Sequence, residues 1–217
     1  MNMHEGAGAS EGQRAGMTTK RRAILDGALV VFARDGYTRA SVDVIAETAK
    51  VSSRTIYNHF GDKAGLFAFV VEDSAQAVAS AHIEQIDELL SGVNSEEQLE
   101  SALVACGLAL HTVVPSRAPH WGLVRHIHAD ADHIPAAVIE SWLRLGPART
   151  KRQLALHFGE LARRGLLRLD DPELAATHYS ALTDTATTSA LEPHPSEQRT
   201  RQLMTAAVRA FRRGYGT

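Results

Sequence analysis

Between residues 41 and 60 the chain sets hydroxyl, amide, imidazole and guanidinium groups at intervals that leave them on the outside of two short helical segments. Ser53, Arg54, Thr55, Asn58 and His59 offer donors and acceptors outward. Ile45, Ala46, Ala49, Val51 and Ile56 are apolar where two helices must pack together. A short helix, a tight turn and a second helix allow one helix to lie across a phosphate backbone while the next enters a major groove about 12 Å wide. The chemistry this pattern supports is hydrogen bonding to DNA. Catalysis finds no such support. There is no glycine-rich phosphate loop, nucleophile elbow or metal-protease histidine pair, and the single Cys106 stands in an apolar run without a neighbouring base.

A second polar cluster holds His120, His126, His128 and His133 with Asp130 and Asp132. His128 and Asp132 are four residues apart, a spacing that could ligate a metal. His126 and His128, however, point about 200° apart on a helix and no cysteine lies near, so neither a metal nor another cofactor is expected. The same stretch suits a small-molecule site better. Trp121, Arg125, His128, Trp142 and Tyr179 would in part line an apolar cavity with a few polar anchors, although a Trp or His at helical spacing is as readily a core residue.

Helical periodicity supplies the elements that hold these residues. Ile24, Ala28 and Phe32, flanked by Leu25 and Leu29, form one apolar face that Gly36 ends. Ser41 is placed to cap a second helix, Ser52 a third from Ser53 to about His59, and Asp62 a long fourth that breaks near Ser91 and Gly92. Further helices fit 96–113, 119–130, 135–164, 172–190 and 196–213. Pro147 divides or kinks the 135–164 segment. With no strand alternation anywhere, the fold reads all-α. An N-terminal three-helix head at 17–63 carries the helix-turn-helix at about 41–60, and a larger helical body occupies 64–217. Residues 1–16 are small and polar and read as a disordered arm.

The chain has 217 residues, and 44% hydrophobic content is enough for a real core. A net charge of −2 hides an asymmetry: residues 14–63 carry nine Lys or Arg against five Asp or Glu, whereas 64–217 carry fourteen against eighteen. A basic head on an acidic body is what a phosphate-contacting module joined to a non-contacting one would show. No run approaches the roughly 18–20 apolar residues of a membrane span, no signal sequence is visible and one cysteine cannot close a disulfide, so a cytoplasmic location is expected.

The run Ser41-Val42-Asp43-Val44-Ile45-Ala46, then Val51 through Phe60, then Lys63 and Leu66, resembles the TetR family of regulators. Arg22, Ile24, Leu25, Ala28, Phe32, Gly36 and Tyr37 match that family's first helix, so the resemblance covers about residues 18–70. It implies that Ser53, Arg54 and Thr55 begin the recognition helix, that Tyr57 and His59 reach backbone or base edges, and that Thr38, Ser41 and Lys63 contact phosphate. Three departures stand out. Lys50 occupies the turn position where the family usually has glycine, at a cost of order 1 kcal/mol if the backbone is left-handed. Arg54 replaces a small residue, which suggests a bidentate fork on guanine. Gly65 replaces a common Glu and weakens the helix start.

From Pro119 to about Thr183 the chain resembles a C-terminal subtype of the same family, through Leu145-Gly146-Pro147-Ala148-Arg149, Ala162-Arg163-Arg164-Gly165 and Asp170 to Ala176. The resemblance implies a ligand-binding and dimerising domain. It implies a homodimer whose last two helices, about 172–190 and 196–213, pack as a four-helix bundle. Leu174, Tyr179, Leu182, Leu203, Val208 and Phe211 suit that interface and an intramolecular core equally. The function implied is a repressor released from a palindromic operator by a small-molecule effector; an activator, or a DNA-binding adaptor without an effector, shares the same features.

Overall fold

The computed structural model describes residues 6–111, 117–185 and 196–216, with side chains described from Thr19 onward. Every element among them is helical: α1 Gly6–Arg39, α2 Val42–Thr48, α3 Ser53–Phe60, α4 Lys63–Leu90, α5 Glu96–His111, α6 Ala118–Ala129, α7 Ala136–Leu145, α8 Pro147–Arg163, α9 Pro172–Thr185 and α10 Glu197–Tyr215. A 3-10 turn occupies Ala131–His133, and one isolated bridge pairs Leu167 with Gly216. The all-α reading is correct, and Pro147 divides the 135–164 segment into α7 and α8. Pro115, Pro193 and Pro195 lie outside the described residues, as do residues 1–5. α1 itself takes in residues 6–16 of the stretch that composition assigned to a disordered arm.

The chain gathers into two compact units, residues 1–76 with 114–143 and residues 77–113 with 144–217. The first is larger than the 17–63 head expected from sequence, because α6 returns to pack along α1. Gly122 makes that approach possible: a Cβ there would stand 2.9 Å from the carbonyl oxygen of Ala33. Gly36, where α1 loses helical geometry at φ 74°, meets α6 in the same way, with His126 Nδ1 3.0 Å and Asp130 Oδ2 3.2 Å from where its Cβ would be. The core of this unit is Ile24, Leu25, Ala28, Phe32, Ile45, Ile56, Leu66 and Phe67, with the Phe32 and Phe67 rings edge to face at 4.9 Å.

The second unit is built on aromatic packing. Phe158, Tyr179 and Phe211 are buried with ring centroids 5.4–5.5 Å apart. Gly107 lets α5 close on this cluster, since a Cβ would collide with the Met204 sulfur. Glu100 on α5 accepts from Arg209 at 3.0 Å and Arg212 at 3.1 Å on α10. Tyr179, Val208 and Phe211, which suited interface and core equally, are 0–1% exposed in this unit's own core. Leu182 and Leu203 are partly buried against it, and Leu174 is 48% exposed.

Candidate nucleic-acid interface

Hydroxyl caps at each start position α2 and α3. Ser41 Oγ accepts from the Asp43 amide at 3.3 Å, and Ser52 Oγ from the Thr55 amide at 3.2 Å. Between the helices the Val51 amide donates to Ala46 at 2.9 Å and the Lys50 amide to Glu47 at 3.1 Å, the paired bonds of a Schellman ending. Lys50 takes the left-handed position at φ 55°, the one non-glycine residue with positive φ among those described. The strain expected from sequence is therefore present. Ile45, Ile56 and Phe60 anchor the pair of helices in the core.

At the far end of α3, Gly61 turns the chain at φ 81° with its amide on the Tyr57 carbonyl, and Asp62 Oδ1 caps α4 through the Gly65 amide at 2.7 Å. Gly65 has a reason that its helix propensity concealed. A Cβ at this position would collide with the Phe60 carbonyl oxygen.

The nine residues read as DNA contacts sort by what their polar atoms already do. Arg54, Tyr57 and Asn58 are exposed, and no hydrogen bond or ion pair from them occurs among the described residues. Thr38 and Ser41 are exposed as well, although the Ser41 oxygen is engaged as a cap. His59 is partly buried beside Phe60, ring centroids 6.1 Å apart. Ser53 Oγ donates to Asp43 Oδ1 at 2.6 Å, and Thr55 Oγ1 shares a hydrogen bond with Ser52 Oγ at 2.9 Å. Lys63 donates one proton to the Thr38 carbonyl at 3.0 Å with its ammonium 5.1 Å from the Tyr37 ring centroid, and burial pulls its pKa below the usual lysine value. Two donors of that ammonium remain for other partners.

Sequence reasoning missed Asp43 and Arg21. Asp43 lies ten residues from Ser53, a separation that no helical period marks. Arg21 stacks over the buried Phe60 at 5.3 Å and the exposed Phe69 at 4.8 Å.

The residues read as a ligand site divide between the units. Trp121, Arg125, His128 and Trp142 belong to the first, where His128 and Trp142 stack edge to face at 5.3 Å. Among the described residues the buried Trp121 indole nitrogen has no hydrogen-bond partner. Beside it, His120 accepts or donates at 2.8 Å with Ser74, and burial pushes its pKa down to about 4. Tyr179 belongs to the second unit, is fully buried and donates to the Leu103 carbonyl at 2.6 Å, so the core consumes both its ring and its hydroxyl. Burial also pushes the Cys106 thiol up to about 12, which leaves essentially no thiolate near neutral pH. No group of three metal-ligating side chains occurs among the described residues, and no helix among them is long and apolar enough to cross a membrane.

Two family models match the chain, and the second runs across both units. Residues 24–70 match the family model for bacterial regulatory proteins of the tetR family, and residues 101–217 match that for the C-terminal domain of AefR-like transcriptional repressors. The transcriptional repressor AcnR of Corynebacterium glutamicum is 36% identical over 77 residues, 35% of this chain and 41% of the relative. The chain thus aligns with about two fifths of that protein's length. A crystal structure described as a TetR-family regulator from Mesorhizobium loti shares 28% identity, covers 93% of this chain and 98% of its own, and superposes with a TM-score of 0.78. The flavonoid-responsive regulator FrrA shares 25% identity over 91% of this chain and 97% of its own, with a TM-score of 0.62.

Proposed function

The chain belongs to the TetR family of DNA-binding transcriptional regulators, and on that premise we propose that it is a cytoplasmic repressor which grips a palindromic operator as a homodimer and lets go when a small molecule binds. The observation that carries the reading is the row Arg54, Tyr57 and Asn58: three polar side chains, exposed and without a partner among the described residues, on a helix fixed by its cap and its core anchors. Such a row has no use in a packing unit. It matches what a major groove offers to side chains that carry donors.

The dimer follows from how little one such helix reads, since useful specificity needs two half-sites. The proposed interface is α9 with α10. Along α10 runs an open groove of about 550 Å³ whose lining includes Ala206, Ala210, Arg201, Arg209 and Arg213. That notched face and the exposed Leu174 remain after Tyr179, Val208 and Phe211 are spent in the core. For the effector we propose Trp121, Arg125, His128 and Trp142, with the Trp121 N–H, which has no partner among the described residues, as the polar anchor. The flavonoid response named for FrrA supports a small-molecule effector here.

A footprint on the DNA flanking the protein's own gene tests the reading. Protection of a palindrome whose half-sites are about one helical turn apart is the expected result. Sequence-independent coating of the duplex would overturn it.

A further inference from the structure

We propose that Asp43 is the positioning residue of the reading head, and that by accepting the hydrogen bond of the Ser53 hydroxyl it makes that side chain a brace between α2 and α3 instead of a phosphate contact. The inference rests on the DNA-binding reading above and refines it.

A serine hydroxyl has one proton to give. In this structure it goes to Asp43 Oδ1 at 2.6 Å, a short bond to an ionised acceptor and therefore a strong one. Phosphate oxygens only accept, so the Ser53 hydroxyl cannot hold one without first releasing Asp43. Both ends of the bond are rigid. Asp43 sits in the first turn of α2, with its amide on the Ser41 cap, and Ser53 opens α3 directly after the Ser52 cap. The bond thus ties the first turns of the two helices across a connection that contributes strain at Lys50. Its carboxylate also faces the positive end of α3, which favours a negative charge there.

Base readout is more sensitive to the loss of such a brace than phosphate contact is. A bidentate fork on a base edge needs defined distance and direction, whereas an attraction between ammonium or guanidinium and phosphate tolerates small rotations. Removing the brace therefore degrades discrimination between sequences while leaving affinity for arbitrary DNA intact.

The test uses the full chain, the operator duplex from the footprint and a random-sequence duplex of equal length, with binding read by fluorescence anisotropy. Asp43→Ala and Ser53→Ala should each lower the ratio of operator to random affinity about tenfold, the scale of a lost hydrogen bond to a charged group. The double variant should be no worse than either single one. Asp43→Asn, which keeps an acceptor for Ser53, should restore most of the ratio. Random-duplex affinity should hold or rise when the Asp43 charge is removed. A ratio unchanged by Asp43→Ala but lowered by Ser53→Ala would overturn the proposal, since Ser53 would then touch DNA itself, and so would losses that multiply in the double variant. Thermal unfolding of the same proteins without DNA reads the brace separately, as single and double variants that melt together. If they melt together while the wild type prefers no operator, the regulatory reading fails and the brace stands.

Discussion

In the unit that contains α2 and α3, hydroxyls and cations sit at the surface and bond to nearby backbone or to one another, leaving Arg54, Tyr57 and Asn58 open. In the other unit a tyrosine hydroxyl and a thiol lie inside an aromatic cluster, with no surface to offer a ligand. The same residue types, at similar helical spacing, are exposed in one place and packed in the other. Exposure separates the two uses, and exposure is decided by what the rest of the chain folds against.

The sharpest way to break that comparison is at Tyr179. As a core residue it should cost about 3–5 kcal/mol when replaced by alanine, the usual range for deleting a large buried aromatic. Tyr179→Phe should cost about 1 kcal/mol by leaving the Leu103 carbonyl without its hydroxyl donor. Urea unfolding measures both. A Tyr179→Ala protein with near wild-type stability would restore the residue to a cavity wall.

On the other side of the comparison, Arg54→Ala should cost about 1–3 kcal/mol of operator affinity and flatten one symmetric pair of positions in the binding-site logo. Lys63→Ala should leave the logo alone and reduce the slope of log affinity against log salt by about 1. Selection on a randomised operator library at two salt concentrations distinguishes them. An unchanged logo for Arg54→Ala would make that arginine a phosphate contact, as many are.

How much of this was legible in the sequence follows from the range over which each feature is determined. The caps Ser41, Ser52 and Asp62 and the break at Gly36 act within one helical turn, and the residues announce them. The left-handed Lys50 was legible only through the family resemblance, which has glycine at that turn position, since lysine itself signals nothing there. The Asp43–Ser53 bond crosses ten residues and a turn, and the close approach of Gly122 to Ala33 joins segments almost ninety residues apart, so no local pattern records either. The return of 114–143 to the first unit is the same kind of fact. Tyr179 was ambiguous because a helical period says which face it occupies but not what covers that face.

The first unit has a buried polar pair of its own, and acid tests whether it behaves like the core of the second. His120 stays neutral in the fold down to about pH 4, whereas in the unfolded chain it ionises near 6.5. Below about pH 6.5 the unfolded state therefore binds more protons. Stability is full above that point and falls as pH drops, by about 2 kcal/mol at pH 5 and about 3 kcal/mol at pH 4 from this group. His120→Asn should remove that part of the pH dependence. Denaturation midpoints of both proteins at pH 7 and pH 5 give the answer, and equal losses on acidification would mean that His120 is not the titrating group.

The smallest effect lies in two helix endings with the same hydrogen-bond pattern. After α2 the left-handed position is Lys50, and after α8 it is Gly165 at φ 75°, with the Leu166 amide on Leu161 and the Gly165 amide on Ala162, each at 2.9 Å. A side chain in this conformation costs roughly 1–2 kcal/mol, while glycine loses about 0.5–1 kcal/mol more backbone freedom on folding than alanine does. The difference is a few tenths of a kcal/mol to about 1 kcal/mol in favour of glycine. Lys50→Gly should stabilise by that amount, and Gly165→Lys should destabilise by the same amount, since nothing lies within 4 Å of a Cβ at Gly165 to add a clash. If the head keeps a strained lysine for its charge, Lys50→Gly should also lower the salt slope of operator binding by about 1. A more stable protein with an unchanged slope would mean that the lysine touches no phosphate. A protein no more stable than wild type would mean that the turn carries no strain worth relieving.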